Sequence, residues 1–342
     1  MSAPVRLGLI GVGRWGTVYI RTIISSLHER CRVSHLATSR PENRTLVPYP
    51  VAVTPDWRQV LAGDCDAVII ATPPQTHAEI LEACVDAGKP CLVEKPLCLD
   101  VATAERLHRR VEAAEVPVLV GHTQLFNPAY RALKQALRQA GEAVRAVVSE
   151  GMALGPFRTD VPALWDWAPH DVSLSLDLVG ETPERVSVLG GPQGLQEAPE
   201  MVSLRLDFPG GACAWIQAGR LSTEKRRRLS VFTEHRVYVC DDLAPNRLAA
   251  APIEFSQRAA GGIPEPLGLR PIPSDPSRSP MAAMLAAFLD GIASGRREGF
   301  GTALAVDVVR VLAAAEAELK QTAKAKSPQR AAASQRDQVI RS

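Results

Sequence analysis

Two hydrophobic rhythms divide the chain. From residue 5 to 123, short apolar runs alternate with stretches of helical spacing. Residues 5–10, 32–37, 51–53, 67–71, 91–94 and 118–120 read as strands. Residues 17–27, 77–87 and 101–114 read as helices, the second ending at Gly88. Strands that alternate with helices predict parallel βαβ units and a doubly wound sheet of the α/β class.

After residue 124 the rhythm changes. Residues 128–140 have helical spacing and end at Gly141, and 144–150 read as a strand. A loop bearing Gly and Pro then leads to a helix predicted over 169–179. The runs 186–189, 201–208, 213–218, 228–233 and 236–240 follow without long helices, which predicts an antiparallel sheet. Residues 251–280 are Pro-rich and loop-like, 281–294 and 303–320 are helical, and the polar, Ala-rich stretch from about 324 reads as a fraying tail. The expected organisation is a dinucleotide-type domain over 1–123, an α+β domain over 124–323 and a flexible tail over 324–342.

Composition narrows the class. Apolar residues make up 46% and charged residues 22% of the 342 positions, so a packed core is expected and disorder is excluded as the main state. A formal charge of +2 argues against a basic coat for nucleic acid. The seven cysteines form no C-x-x-C pair and no zinc spacing with histidine, so buried free thiols in a reducing compartment and no metal site are expected. The first residues lack the apolar region of a signal peptide, and no apolar run is long enough to span a membrane. A cytoplasmic location is the expectation. Only seven of 39 basic residues are lysines, which makes each lysine worth inspecting.

The strongest motif is Gly11-Val12-Gly13-Arg14-Trp15-Gly16, between a strand and a helix. In that setting Gly11 permits a tight turn, Gly13 lets a pyrophosphate approach the backbone, and Gly16 lets helix pack on strand. The helix N-terminus attracts phosphates. Arg14 and Trp15 are placed to touch phosphate or to cover a cofactor. The end of the second strand reads Ala37-Thr38-Ser39-Arg40, with no acid for a ribose 2′-hydroxyl. Ser39 and Arg40 suit a 2′-phosphate instead, which favours NADP over NAD.

Four stretches together resemble one family: Gly11–Gly16, Ala71-Thr72-Pro73-Pro74-Gln75-Thr76-His77, Glu94-Lys95-Pro96 and Trp165-Asp166-Trp167-Ala168-Pro169-His170-Asp171. The junction Gly121-His122-Thr123-Gln124-Leu125-Phe126-Asn127-Pro128 also fits. The chain is similar, over residues 5–320, to the Gfo/Idh/MocA oxidoreductases. The resemblance implies a Rossmann domain followed by a domain with a large open, mostly antiparallel sheet that often joins subunits, here into a homodimer or homotetramer. It implies hydride transfer between nicotinamide and an oxygen-bearing carbon of a sugar, nucleotide-sugar or cyclitol. It places Lys95 at the reacting oxygen, often before a cis proline, and assigns Asp166 and His170 to the family's Asp-x-x-x-His pair. The Trp- and Pro-bearing form of that pair is similar to a branch of sugar and nucleotide-sugar enzymes, which argues against a simple polyol.

The residues support that chemistry. Alcohol oxidation needs a base, and histidine titrates near neutrality. Pro169 suits a first helical turn, so His170 is expected near a helix N-terminus, whose positive end disfavours imidazolium. Asp166, four positions earlier, is expected to bond the ring or the substrate hydroxyl, or to cap the helix. Lys95 is expected to stabilise a developing alkoxide. The resemblance puts Thr72 and Pro73 nearest the nicotinamide, with His77, Glu94 and Gln124 on the cofactor side and Asn127 on the substrate side. Arg158, Trp165 and Arg220 are candidate substrate contacts: Trp for a sugar face, Arg for phosphate or carboxylate. The basic run Lys225-Arg226-Arg227-Arg228 reads as a solvated turn, with an anionic substrate tail as the sharper alternative. Two other functions fit the same fold, a dinucleotide-sensing regulatory protein and a reductase of a non-sugar substrate. Retention of Lys95, Asp166 and His170 argues against the first.

Overall fold

A computed structural model describes residues 3–194, 198–253, 268–275, 277–294 and 301–340, with side chains to residue 325. Six parallel strands form the first sheet: β1 (Val5–Ile10), β2 (Cys31–Ala37), β3 (Ala52–Thr54), β4 (Ala67–Ile70), β5 (Cys91–Glu94) and β6 (Val118–Gly121), in the order β3-β2-β1-β4-β5-β6. The inner strands are apolar throughout because helices cover both faces, and β4 has no exposed residue. The connecting helices are α1 (Arg14–Thr22, continued by a π turn at Ile23–Leu27), α2 (Trp57–Ala62), α3 (His77–Asp86) and α4 (Val101–Ala114). Strand order reverses between β1 and β4. Ile10 pairs with Ile70 there, so the loops that follow open a crevice at the carboxyl ends of the strands.

Helix α5 (Pro128–Ala140) starts on an Asn127 cap and stops at Gly141, whose φ of +66° suits glycine. The second sheet has eight strands: β7 (Ala146–Met152), β8 (Arg185–Gly190), β9 (Met201–Asp207), β10 (Cys213–Gly219), β11 (Arg226–Phe232), β12 (Arg236–Asp241), β13 (Leu248–Pro252) and β14 (Arg270–Pro271). Their order is β14-β13-β12-β11-β7-β10-β9-β8. All pairs are antiparallel except β7 with β10. One face packs beneath α6 (Ala163–Val179) and the last helix, α8 (Ala303–Ile340). Alternation of burial along β7, β9 and β10 follows from that one-sided cover. Helix α7 (Pro280–Ser294) leaves this sheet and packs on the first, setting Met284, Leu285 and Phe288 among Tyr19, Ile20 and Ile23. Among the described residues no helix is long and apolar enough to cross a membrane.

Several expectations are corrected. α6 begins six residues before the predicted start at 169, so Pro169 lies inside the helix and not in its first turn. The apolar run at 163–165 extends the buried face backwards, and packing on the sheet outweighs the carbonyl at Trp165 that a proline cannot serve. The basic run 225–228 is not a solvated turn, because β11 begins at Arg226. Trp57–Ala62, Leu248–Pro252 and Arg270–Pro271 are elements that the periodicity did not reveal. α8 runs on to Ile340, past the predicted helix end at 320. Much of the expected 251–280 loop lies outside the described residues.

Candidate active site

The glycine loop closes the first crevice in the manner its spacing predicts. Gly11 has φ +92°, and a Cβ there would lie 2.7 Å from the Ala71 backbone. A Cβ on Gly16 would fall 2.1 Å from the Gly11 carbonyl oxygen, whereas one on Gly13 would meet nothing within 4 Å. Only Gly13 therefore faces open space, at the start of α1, where no side chain caps the helix. A cavity of about 350 Å³ continues from this loop between Thr38, Ser39, Arg40, Pro55, Trp57 and Thr72. Ser39 and Arg40 are exposed there, and among the described residues Arg40 forms no ion pair. Thr38 Oγ1 accepts bonds from the Arg40 amide (3.1 Å) and Asn43 Nδ2 (2.9 Å), which fixes the loop below the guanidinium. These residues fit a dinucleotide, with pyrophosphate at Gly13 and the adenosine ribose by Ser39 and Arg40. Arg14 is exposed and Trp15 half-buried, with the guanidinium 6.0 Å from the indole centre.

The predicted cofactor-side residues divide. Thr72 and the exposed Pro73 border the crevice, Thr72 being held by Thr76 Oγ1 at 2.8 Å. His77 and Glu94 turn inward. His77 is fully buried, its ring nitrogens 2.9 Å from the carbonyl oxygens of Pro96 and Thr72, so it braces two loops and does not face the cleft. Glu94 accepts from the Tyr19 hydroxyl (2.7 Å) and from the Lys95 amide (3.3 Å), leaving its carboxylate internal. Burial pushes that carboxyl above its usual range. Gln124 takes a 3.3 Å bond from Asn127 Nδ2 and lines a small recess with Asp171 and Arg227.

Lys95 follows β5 through a cis bond to Pro96. Its ammonium donates to the Asp166 carbonyl oxygen at 2.5 Å and lies 3.6 Å from Asp166 Oδ1. Burial lowers the Lys95 pKa, while Asp166 and Glu94 favour its charge. Asp166, in the first turn of α6, is occupied on both oxygens: Arg158 Nη1 reaches Oδ1 at 3.3 Å and Arg220 Nη2 reaches Oδ2 at 3.0 Å. It is a fixed counter-ion for three cations. His170 lies in the middle of α6 and is pushed well below the usual imidazole range, first by burial and then by Lys95, Arg227 and His122. The expected helix N-terminus is not the cause of that shift.

Three predicted substrate contacts are tied to other parts of the chain. Asn127 is buried, caps α5 through Oδ1 and donates to Asp242 at 2.7 Å. Trp165 is buried and donates Nε1 to Glu316 on α8 at 3.3 Å. Arg220 is 0% exposed and spends its terminal nitrogens on Asp166, Glu200 and the Val161 carbonyl. Arg158 remains partly exposed, shared between Asp160 and Asp166.

Other side chains join the site. Arg227 comes from β11, stacks 5.7 Å from the Trp167 ring centre and pairs with Asp171 at 3.4 Å. Gly151 of β7 makes room, because a Cβ there would lie 2.3 Å from Asp171 Oδ2 and 2.8 Å from Arg227 Nη1. His122 stands beside Lys95, since β5 and β6 pair Glu94 with Gly121. His122, Trp167 and Asp171 lie within the stretches that carry the resemblance, but nothing in their spacing separated them from core residues.

Comparison with known proteins agrees with this arrangement. Residues 5–122 match the oxidoreductase family with an NAD-binding Rossmann fold, GFO_IDH_MocA, and residues 156–239 match the GFO/IDH/MocA C-terminal domain. UDP-N-acetylglucosamine 3-dehydrogenase of Acidithiobacillus ferrooxidans is 30% identical over 301 residues, covering 85% of this chain and 90% of its own. An inositol 2-dehydrogenase of Mycolicibacterium gilvum is 31% identical over 219 residues, covering 59% of this chain and 61% of its own. A crystal structure from Magnetospirillum magnetotacticum MS-1 is 40% identical, with a TM-score of 0.81 over 91% of this chain and 99% of that one. With both halves of the chain matched, the chain belongs to the Gfo/Idh/MocA family of oxidoreductases.

Proposed function

We propose that the protein is an NAD(P)-dependent dehydrogenase or reductase acting on a carbinol or keto carbon of a sugar, nucleotide-sugar or cyclitol, with NADP preferred. The observation that carries this reading is that Lys95, bonded to Asp166, acts electrostatically on His170 in a chain whose glycine loop fits a dinucleotide. The nicotinamide supplies the hydride acceptor or donor. In the oxidative direction His170, neutral at working pH, takes the hydroxyl proton. Lys95, held as a cation by Asp166, stabilises the negative charge that gathers on the reacting oxygen. In the reductive direction the protonated His170 returns that proton. Asp166 does not move a proton in this scheme, because Arg158, Arg220 and Lys95 engage it, and its part is to aim Lys95.

Exposed Ser39 and Arg40 support the NADP preference. Seven unpaired cysteines support a reducing, cytoplasmic setting. The uncovered sheet face carries Val148, Trp215 and Leu189 at 39%, 49% and 76% exposure, and we take it as the surface that joins copies of the chain. The test is a fluorescence titration with NADPH and NADH, then turnover on UDP-N-acetylglucosamine and myo-inositol. Lys95→Met should keep NADPH binding and lose about 10²–10³-fold in kcat, as expected for an oxyanion donor. Undiminished turnover in that variant would show the assignment to be wrong.

A further inference from the structure

A cavity of about 700 Å³ lies between the edge strand β6, helix α5 and the first turn of α8. Its described wall contains no residue of the glycine loop, and none of Lys95, Asp166 and His170. Its volume is that of a small-molecule site, which runs from about 300 to 1,000 Å³.

The wall is positively charged. Arg131, Lys134 and Arg138 are spaced i, i+3 and i+7, so α5 presents all three on one side. Lys134 pairs at 2.8 Å with Asp177, the one carboxylate in the described wall. Arg131 and Arg138 form no ion pair among the described residues, and the Arg131 guanidinium lies 4.9 Å from the Phe126 ring centre. Helix α8 adds the amides of Ala303, Leu304 and Ala305. These have no intrahelical acceptor, since the first helical bond runs from the Val306 amide to the Thr302 carbonyl at 2.9 Å. The Thr302 hydroxyl is engaged by His108 Nδ1 at 2.9 Å, and among the described residues no side chain caps those amides. The positive end of the α8 dipole is therefore uncompensated at the cavity.

An independent observation also points to a ligand. His122 lines the cavity at 3% exposure, and neither of its ring nitrogens has a hydrogen-bond partner. Buried polar groups are as a rule hydrogen-bonded, and each exception calls for an account. Burial and then Lys95 push the His122 pKa down to about 4, so the ring is neutral at working pH and offers one donor and one acceptor. A ligand that brings both an acceptor and a hydroxyl donor would satisfy it.

We propose that this cavity binds a small, soluble organic phosphate bearing hydroxyl groups, with the phosphate held by Arg131, Arg138 and the first amides of α8 and the body reaching His122. Guanidinium forks and helix N-termini both match phosphate oxygens. Two unpaired guanidiniums also match the charge of a phosphate monoester, about −1.5 to −2 at neutral pH, better than the single charge of a carboxylate. The wall is separate from the cofactor crevice, so this inference does not rest on the proposed dehydrogenase activity.

The test is isothermal titration calorimetry of the full chain with glycerol 3-phosphate, inorganic phosphate and glycerol. Glycerol 3-phosphate should bind saturably at one site per chain and more tightly than inorganic phosphate, and glycerol alone should give no signal. Arg131→Gln and Arg138→Gln, both at exposed positions, should each weaken glycerol 3-phosphate by about 10-fold or more, as loss of a charged hydrogen bond does. His122→Phe should weaken glycerol 3-phosphate and leave inorganic phosphate unchanged. Arg40→Ala should leave both unchanged. Absence of saturable binding would overturn the proposal, as would undiminished affinity in both arginine variants. Binding lost in Arg40→Ala would also overturn it, by placing the phosphate in the cofactor crevice. Failure of NADPH to bind would bear on the proposed function alone.

Discussion

Arg220 and Asp166 form a buried ion pair, Nη2 to Oδ2 at 3.0 Å, that ties the second sheet to the first turn of α6. The same guanidinium holds Glu200 at 3.2 Å. Replacing it with methionine leaves buried Glu200 without this partner and removes one of the three cations on Asp166. Arg220→Met should lose about 3–5 kcal/mol of stability, the usual cost of breaking a buried pair. Urea denaturation measures the loss, and an intact stability would mean that the pair carries no structural role.

The Asp171–Arg227 pair sits over Gly151, where a Cβ would meet both partners. Gly151→Ala should therefore push Arg227 from its place above Trp167 and cost about 1–3 kcal/mol, as overpacking does. Arg227 acts electrostatically on both Lys95 and His170, so kcat should change more than the NADPH dissociation constant. Steady-state kinetics with a parallel binding titration separate the two effects.

Cofactor choice is read at Arg40. A hydrogen bond to a charged group contributes about 1.5–3 kcal/mol, which corresponds to roughly 10–150-fold in affinity. Arg40→Ala should weaken NADPH by that factor and leave NADH nearly unaffected. Equal weakening of both would place Arg40 on a phosphate common to the two.

Acid sensitivity follows from His122, whose pKa is pushed down to about 4, first by burial and then by Lys95. An unfolded histidine titrates near 6.5, so below that pH the unfolded chain binds a proton that the folded chain refuses, and stability falls as pH falls. Between pH 7 and pH 5 this amounts to about 2 kcal/mol. Glu94 and Asp171, whose carboxyls burial raises, act in the opposite direction and are common to both proteins in the comparison. His122→Gln should therefore lose about 2 kcal/mol less than the native protein over that interval, as read from urea midpoints at the two pH values.

Much of the fold is legible because its causes are simple. Gly16 answers to the Gly11 carbonyl five residues earlier, and β4 is apolar because both its faces are covered. Lys95 and His170 carry enough motif context to be found. Other features answer to distant parts of the chain. Asn127, Trp165 and Arg220 have the right chemistry for substrate, but partners 115, 151 and 54 residues away claim them. Pro169 misled for the same reason, since the packing that holds α6 together across it comes from the sheet beneath.

The return of α7 to the first sheet bears on how the protein is made. Residues 281–289 complete the hydrophobic layer around Tyr19, Ile20 and Ile23, and Arg30 pairs with Asp290 at 2.6 Å. On the ribosome, the dinucleotide half must wait for more than 150 further residues with that apolar surface uncovered. A helix from the second half of the chain thus finishes the core of the first.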